Sequence, residues 1–111
     1  MSNQTIRLGL VDAINQLMRL ADACDDANQV FELNIKIREL FQRLDRVIVA
    51  ELESSSVAFD EALIALDKLT ASAKEAMDDT NKVAATIAKA NDAIAKVEKV
   101  VTGVMGILAI L

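Results

Sequence analysis

Few side chains in this chain are of a type that could do chemistry. There is no histidine, and Cys24 is the only cysteine. Without histidine the commonest general base, the usual activator of a nucleophile and the commonest metal ligand are all missing. A cysteine with no histidine to deprotonate it is a poor nucleophile. The E-x-x-H motif of di-iron helical bundles cannot occur. Glycine is found only at 9, 103 and 106, which leaves no glycine-rich loop to cradle a phosphate. The remaining candidates are two acidic clusters, one at Asp22, Asp25 and Asp26 and one at Asp78 and Asp79. Carboxylates so grouped could hold a divalent cation, but acids near helix ends are ordinarily solvated. The sequence therefore predicts a non-enzymatic protein with no catalytic residue, no cofactor and no metal ligand.

Charge and composition narrow the partners. The formal net charge is -5, which opposes nucleic-acid binding, where a basic surface must neutralise phosphates. One cysteine allows no intrachain disulfide. It reads as a small apolar residue on a helix face, with an intermolecular bridge as the alternative. The first nine residues lack a basic region followed by a long apolar run, so no secretory signal is expected and cytoplasmic residence is the default. Export without a signal would leave no such mark.

The elements that must carry these residues are helices. Proline is absent, glycine is scarce, and aromatics are limited to three phenylalanines. Alanine, the best helix former, makes up much of the apolar content. A first helix is expected over about 4–25, where Leu10, Ala13, Leu17, Leu20 and Cys24 keep a 3-4 spacing and Ser2 or Thr5 can cap the start. Ile6, Ile14, Met18 and Ala21 widen its apolar face, as contact with two neighbours requires. The phase slips at 25–29. There Asp26-Ala27-Asn28-Gln29 matches a capping box, with Asp26 as cap and Gln29 reaching back; a local stammer in one helix is the alternative. A second helix is expected over about 27–52, with Val30, Leu33, Ile37, Leu40, Leu44 and Val47 on its stripe. Its charges interleave, and Glu39 with Arg43 is an i, i+4 pair in the favourable order. Ser54-Ser55-Ser56 then marks a turn, because serine competes with the helical backbone for hydrogen bonds.

From Phe59 onward one apolar stripe runs to the C-terminus. It comprises Phe59, Ala62, Leu66, Leu69, Ala73, Ala76, Thr80, Val83, Ile87, Ala90, Ile94, Val97, Val101, Val104, Leu108 and Leu111. Only Thr80 breaks the apolar rule. The 3-4 alternation is the heptad period, which keeps one side of a helix against a partner. Asp78-Asp79-Thr80-Asn81 could cap a further helix. Against a break, the heptad phase passes through without a slip, and Lys82 would sit at N3, where a cation opposes the helix dipole. A continuous helix over 56–111 is expected, about 80 Å long at 1.5 Å per residue. Glu61, Lys68, Glu75, Lys82, Lys89 and Lys96, each seven from the next, would then lie along its solvent side.

The expected architecture is all-α and a single domain over 1–111. It is an elongated antiparallel bundle of two shorter N-terminal helices and one long heptad-patterned C-terminal helix. The alternative is a compact four-helix bundle with a break near 78–81. In the elongated form half of the long helix has no intramolecular partner, so its seam would bind another copy or a helical protein. The interface residues would be Phe59, Leu66, Leu69, Ala73, Ala76, Val83, Ile87, Ala90, Ile94, Val97, Val101, Val104 and Leu108. The last twelve residues, 100–111, carry no charged side chain. Twelve are too few for a bilayer span, which needs about 20. They must nevertheless be buried in something, so Val100, Met105, Ile107, Ile110 and Leu111 are candidate contacts for a membrane or a partner. Lys89, Lys96 and Lys99 would stand near lipid headgroups in the membrane reading.

Overall fold

A computed structural model describes residues 2–49 and 57–110 of the chain, with side chains described over 5–47 and 57–102. The described residues form four α-helices: α1 (Ser2–Ala23), α2 (Ala27–Val49), α3 (Val57–Asp78) and α4 (Val83–Ile110). One 3-10 turn, Thr80–Lys82, leads into α4. The chain is an all-α bundle of helices packed against each other. The Ser54-Ser55-Ser56 turn falls in 50–56, outside the described residues.

Contacts join α1 to α2, α1 to α3, α3 to α4, and α2 to α4, and no others between α-helices. The helices thus occupy the corners of a square, with α1 diagonal to α4 and α2 diagonal to α3. Arg46 in α2 meets Glu98 in α4, while Glu32 and Lys36 share a groove with Ile87 and Asn91. The two helices therefore run in the same direction. It follows that the turns at 24–26 and 79–82 lie at the same end of the bundle. It follows as well that α1 is parallel to α3. Gly9 permits this last pair to come close, since a Cβ there would lie 3.3 Å from Leu66 Cδ1.

Each boundary has a local cause. Between α1 and α2 the Asp26 carboxylate accepts the Gln29 backbone N–H at 3.0 Å, as expected of an N-cap. The reciprocal half of the capping box differs. The Gln29 side chain accepts from the Cys24 thiol at 3.5 Å in place of reaching back to the cap.

The long C-terminal helix expected over 56–111 is corrected by the break at Asp79. Asp79 adopts φ -143° and ψ 101°, and its carboxylate accepts the Asn81 N–H at 3.1 Å. The two arguments against a break fail for physical reasons. Heptad phase says which face of a helix is buried, not whether the neighbour that buries it lies in the same chain. Lys82 is offset by Glu75 of the preceding helix, whose carboxylate lies 3.4 Å from its ammonium across the turn. Folding back also lets the apolar stripes of α3 and α4 enter one core, which removes far more apolar surface from water than a solitary straight helix could.

Both hairpins supply large residues to the core, Phe59, Leu66 and Leu69 among those of the second, and the second is also rich in buried alanine. Ile6, Leu10, Leu17, Leu20, Leu33 and Leu40 are fully buried, as are Ala62, Ala73, Ala76, Ala90 and Ala93. Alanine at facing positions allows close helix approach.

Candidate functional site

The seam residues are placed by this closure. Phe59, Leu66, Leu69, Ala73, Ala76, Val83, Ala90, Ile94, Val97 and Val101 are all buried in the chain's own core, and Ile87 is partly buried against it. Val100 is buried as well. Val104 and Leu108, with Met105, Ile107, Ile110 and Leu111, lie outside the residues whose side chains are described. The backbone of α4 is helical through Ile110.

The antiparallel α3–α4 hairpin pairs residues equidistant from its turn. Ser72 and Thr86, each seven from Asp79, meet inside it with their hydroxyls 2.8 Å apart. Both side chains are buried, Thr86 fully. The Thr86 hydroxyl also lies 3.2 Å from the Ser72 carbonyl and 3.0 Å from the Lys82 carbonyl, either of which can accept its proton. Ser72 and Thr86 are the polar side chains buried among the described residues.

A second polar cluster ties α2 to α4. Arg46 Nη1 donates to both oxygens of Glu98, at 2.8 and 2.6 Å. The Thr102 hydroxyl adds a bond to Glu98 at 3.2 Å. Arg43 Nε lies 3.2 Å from Glu98 Oε2, but its N–H is not aimed for a hydrogen bond, so charge alone acts there. The hydrogen bond from Arg46 holds the Glu98 carboxyl below the usual glutamate range, against partial burial, which raises it; the Thr102 bond and the charges of Arg46 and Arg43 act with the Arg46 bond. The expected Glu39–Arg43 pair is replaced, because Arg43 turns to this half-buried carboxylate and Glu39 pairs with Lys36 at 3.4 Å. Glu39 and Glu98 are about equally exposed, at 32% and 34%, so screening does not separate them; Glu98 differs in gathering Arg43, Arg46 and Thr102 around one carboxylate.

Nothing here resembles a catalytic constellation. No group of three or more metal-ligating side chains converges among the described residues. A shallow groove of about 370 Å³ runs along α3 and α4 between Ala65, Lys68, Ala85, Ala88, Lys89 and Asp92. The line of charges expected on one straight helix is split by the turn. Glu61, Lys68 and Lys96 line the α3–α4 groove, and Glu75 is joined to Lys82. Large apolar side chains exposed to solvent are spread over α1, α2 and α3, the most exposed being Val57 at 73% and Phe31 at 67%. No helix among the described residues is long and apolar enough to cross a membrane.

The α4 helix runs beyond the described ends of α2 and α3. Glu98 stands level with Arg46, three residues before the end of α2. Lys96 stands level with Glu61 and Ile64 near the start of α3. Beyond about residue 101, α4 has passed the described ends of both, and its backbone continues to Ile110, a further ~14 Å at 1.5 Å per residue.

Sequence reasoning missed the Ser72–Thr86 and Arg46–Glu98 contacts. The first could have been found by reflecting the sequence about Asp79. The second joins residues 52 apart and has no signal in either helix alone. No protein-family model, curated protein or solved structure matches this chain.

Proposed function

We propose that this chain is a non-enzymatic helical interaction protein that self-associates or binds a helical partner through the C-terminal end of its seam. The observation that carries the reading is the reach of α4. The seam continues as Val101, Val104 and Leu108 on a helix that runs past the described ends of α2 and α3. Over that stretch Val100, Met105, Ile107 and Ile110 make the sequence apolar on every side, and such a helix end needs a host. The absence of histidine from the sequence supports a binding role over a chemical one.

Light scattering with refractive-index detection tests this, since the chain has no tryptophan or tyrosine. The expected result is a discrete oligomer that becomes monomeric when the chain is ended at Thr102. A monomer for both chains, with no partner captured by the full chain alone, sinks the reading. A second reading rests on the same charge-free run: binding of the tail to an anionic lipid surface, with Lys89, Lys96 and Lys99 at the headgroups. Flotation with anionic vesicles that is lost on removing 100–111 favours it, and no flotation at low salt excludes it.

A further inference from the structure

The turn between α3 and α4 is held by very little. Asp79 is the only residue between the end of α3 and the 3-10 turn that starts α4. Nothing covalent obliges the chain to turn there. The segment has no proline or glycine, and no described residue has a positive φ. Asp79 N–H already makes a helical bond to the Glu75 carbonyl at 3.1 Å. Moving φ and ψ of Asp79 from -143° and 101° into the helical region, with relaxation of the 3-10 turn, would join α3 and α4 into one helix. The apolar stripe keeps its heptad phase across the junction. The straightened helix would therefore present Phe59 through Val101 along a single seam, with Thr80 alone polar.

We infer that the α3–α4 hairpin is a hinge through which two copies of this chain exchange α4. In the open form α4 of one copy packs on α2 and α3 of the other, remaking between chains the contacts that α4 makes in the closed bundle. Short hinge connections favour such exchange, and the reciprocal pair closes with twofold symmetry. The occupant is a second copy because only α4 of this chain supplies the partners left behind, namely Thr86 for Ser72 and Glu98 for Arg46. The inference rests on reading the chain as self-associating, but it uses the hinge and not the tail.

Two opposed substitutions and one cross-link test it. Thr80→Pro suits the closed form, because proline is favoured in the first position of a helix and keeps the preceding residue extended, as Asp79 is. Within a continuous helix it costs enough to lower the exchanged fraction at least a hundredfold per chain. Asp79→Ala removes the cap and should raise that fraction about fivefold per chain. Both are placed in the full chain carrying Cys24→Ser, Ser72→Cys and Thr86→Cys. Refolding at high protein concentration is followed by oxidation and a non-reducing gel, with helicity checked by circular dichroism. Association by the tail or any outer surface leaves the cross-link within one chain, whereas exchange puts it between chains. The expected result is a covalent dimer, enhanced by Asp79→Ala and abolished by Thr80→Pro. Cross-links confined to single chains in folded protein, including the Asp79→Ala variant, overturn the inference. The C-terminal reading is judged separately by the mass of the full chain.

Discussion

The buried hydroxyl pair makes a prediction whose sign is unusual. Thr86→Val keeps the shape of the side chain but removes an oxygen that lies 2.8 Å from Ser72 Oγ, with Thr86 fully buried. Ser72 is left with a buried hydroxyl and no cross-helix partner. An unsatisfied buried group costs roughly 1–3 kcal/mol. Ser72 sits mid-helix and can turn back to the carbonyl four residues earlier, which recovers part of the loss, so about 1–2 kcal/mol is expected. Ser72→Ala should cost less, since the Thr86 hydroxyl keeps the Lys82 carbonyl at 3.0 Å as acceptor. The double variant replaces the polar pair by apolar groups of similar shape, which is nearly neutral or stabilising. It should therefore be no less stable than Thr86→Val alone. Urea unfolding followed by circular dichroism provides the double-mutant cycle. With a slope of about 2 kcal/mol per molar urea, the Thr86→Val loss moves the midpoint by roughly 0.5–1 M. A double variant destabilised by the sum of the singles would falsify the picture of one coupled, buried hydroxyl pair.

Two further outcomes follow from the polar contacts. The lowered folded pKa of Glu98 means that its stabilising contribution is fully present above the ordinary glutamate range, about 4.3, and is lost as pH falls through the lower folded value. Thermal melts of the natural chain and Glu98→Gln should thus differ at neutral pH and converge in acid; a gap unchanged in acid would assign the effect to shape. The cluster is about a third exposed, so added salt should narrow the gap. Asp26→Ala, which deletes the carboxylate bonded to Gln29 N–H, should cost about 0.5–2 kcal/mol in urea, and a change within error would show that water caps α2 equally well.

Much of this fold was legible because helical periodicity is a local property. The stripe of α2 from Leu33 to Val47 and the cap at Asp26 each follow from a few consecutive residues. Burial of the α3 and α4 stripes was legible as well, since Phe59, Leu66, Leu69, Val83, Ala90 and Val97 are all core. The turn at Asp79 was harder to read. A heptad stripe is satisfied equally by a helix of another chain and by the same chain folded back. Pairings such as Ser72 with Thr86, invisible before folding, show which stretches of the stripe face each other, but they form equally within one chain or between two. Arg43 was misread for the same reason. Its neighbour in sequence, Glu39, lost to Glu98, a carboxylate that only tertiary structure brings near.

The same equivalence limits what mutation of the seam can reveal. Ile94→Asp would test an interface on a long exposed helix, yet Ile94 is only 5% exposed in the closed bundle. A charge there would unfold the monomer, because an unpaired buried charge is costly whichever chain provides its surroundings. Loss of association after such a change therefore says nothing about association. Informative perturbations must alter the turn or the tail while leaving the core untouched. Thr80 satisfies that condition, since no residue of the 3-10 turn is buried. Ending the chain at Thr102 removes the tail beyond the Arg46–Glu98 tie and keeps buried Val100 and Val101. Asp79 and the final turns of α4 are thus where the choice between one chain and two can be controlled, since the core contacts are the same in both.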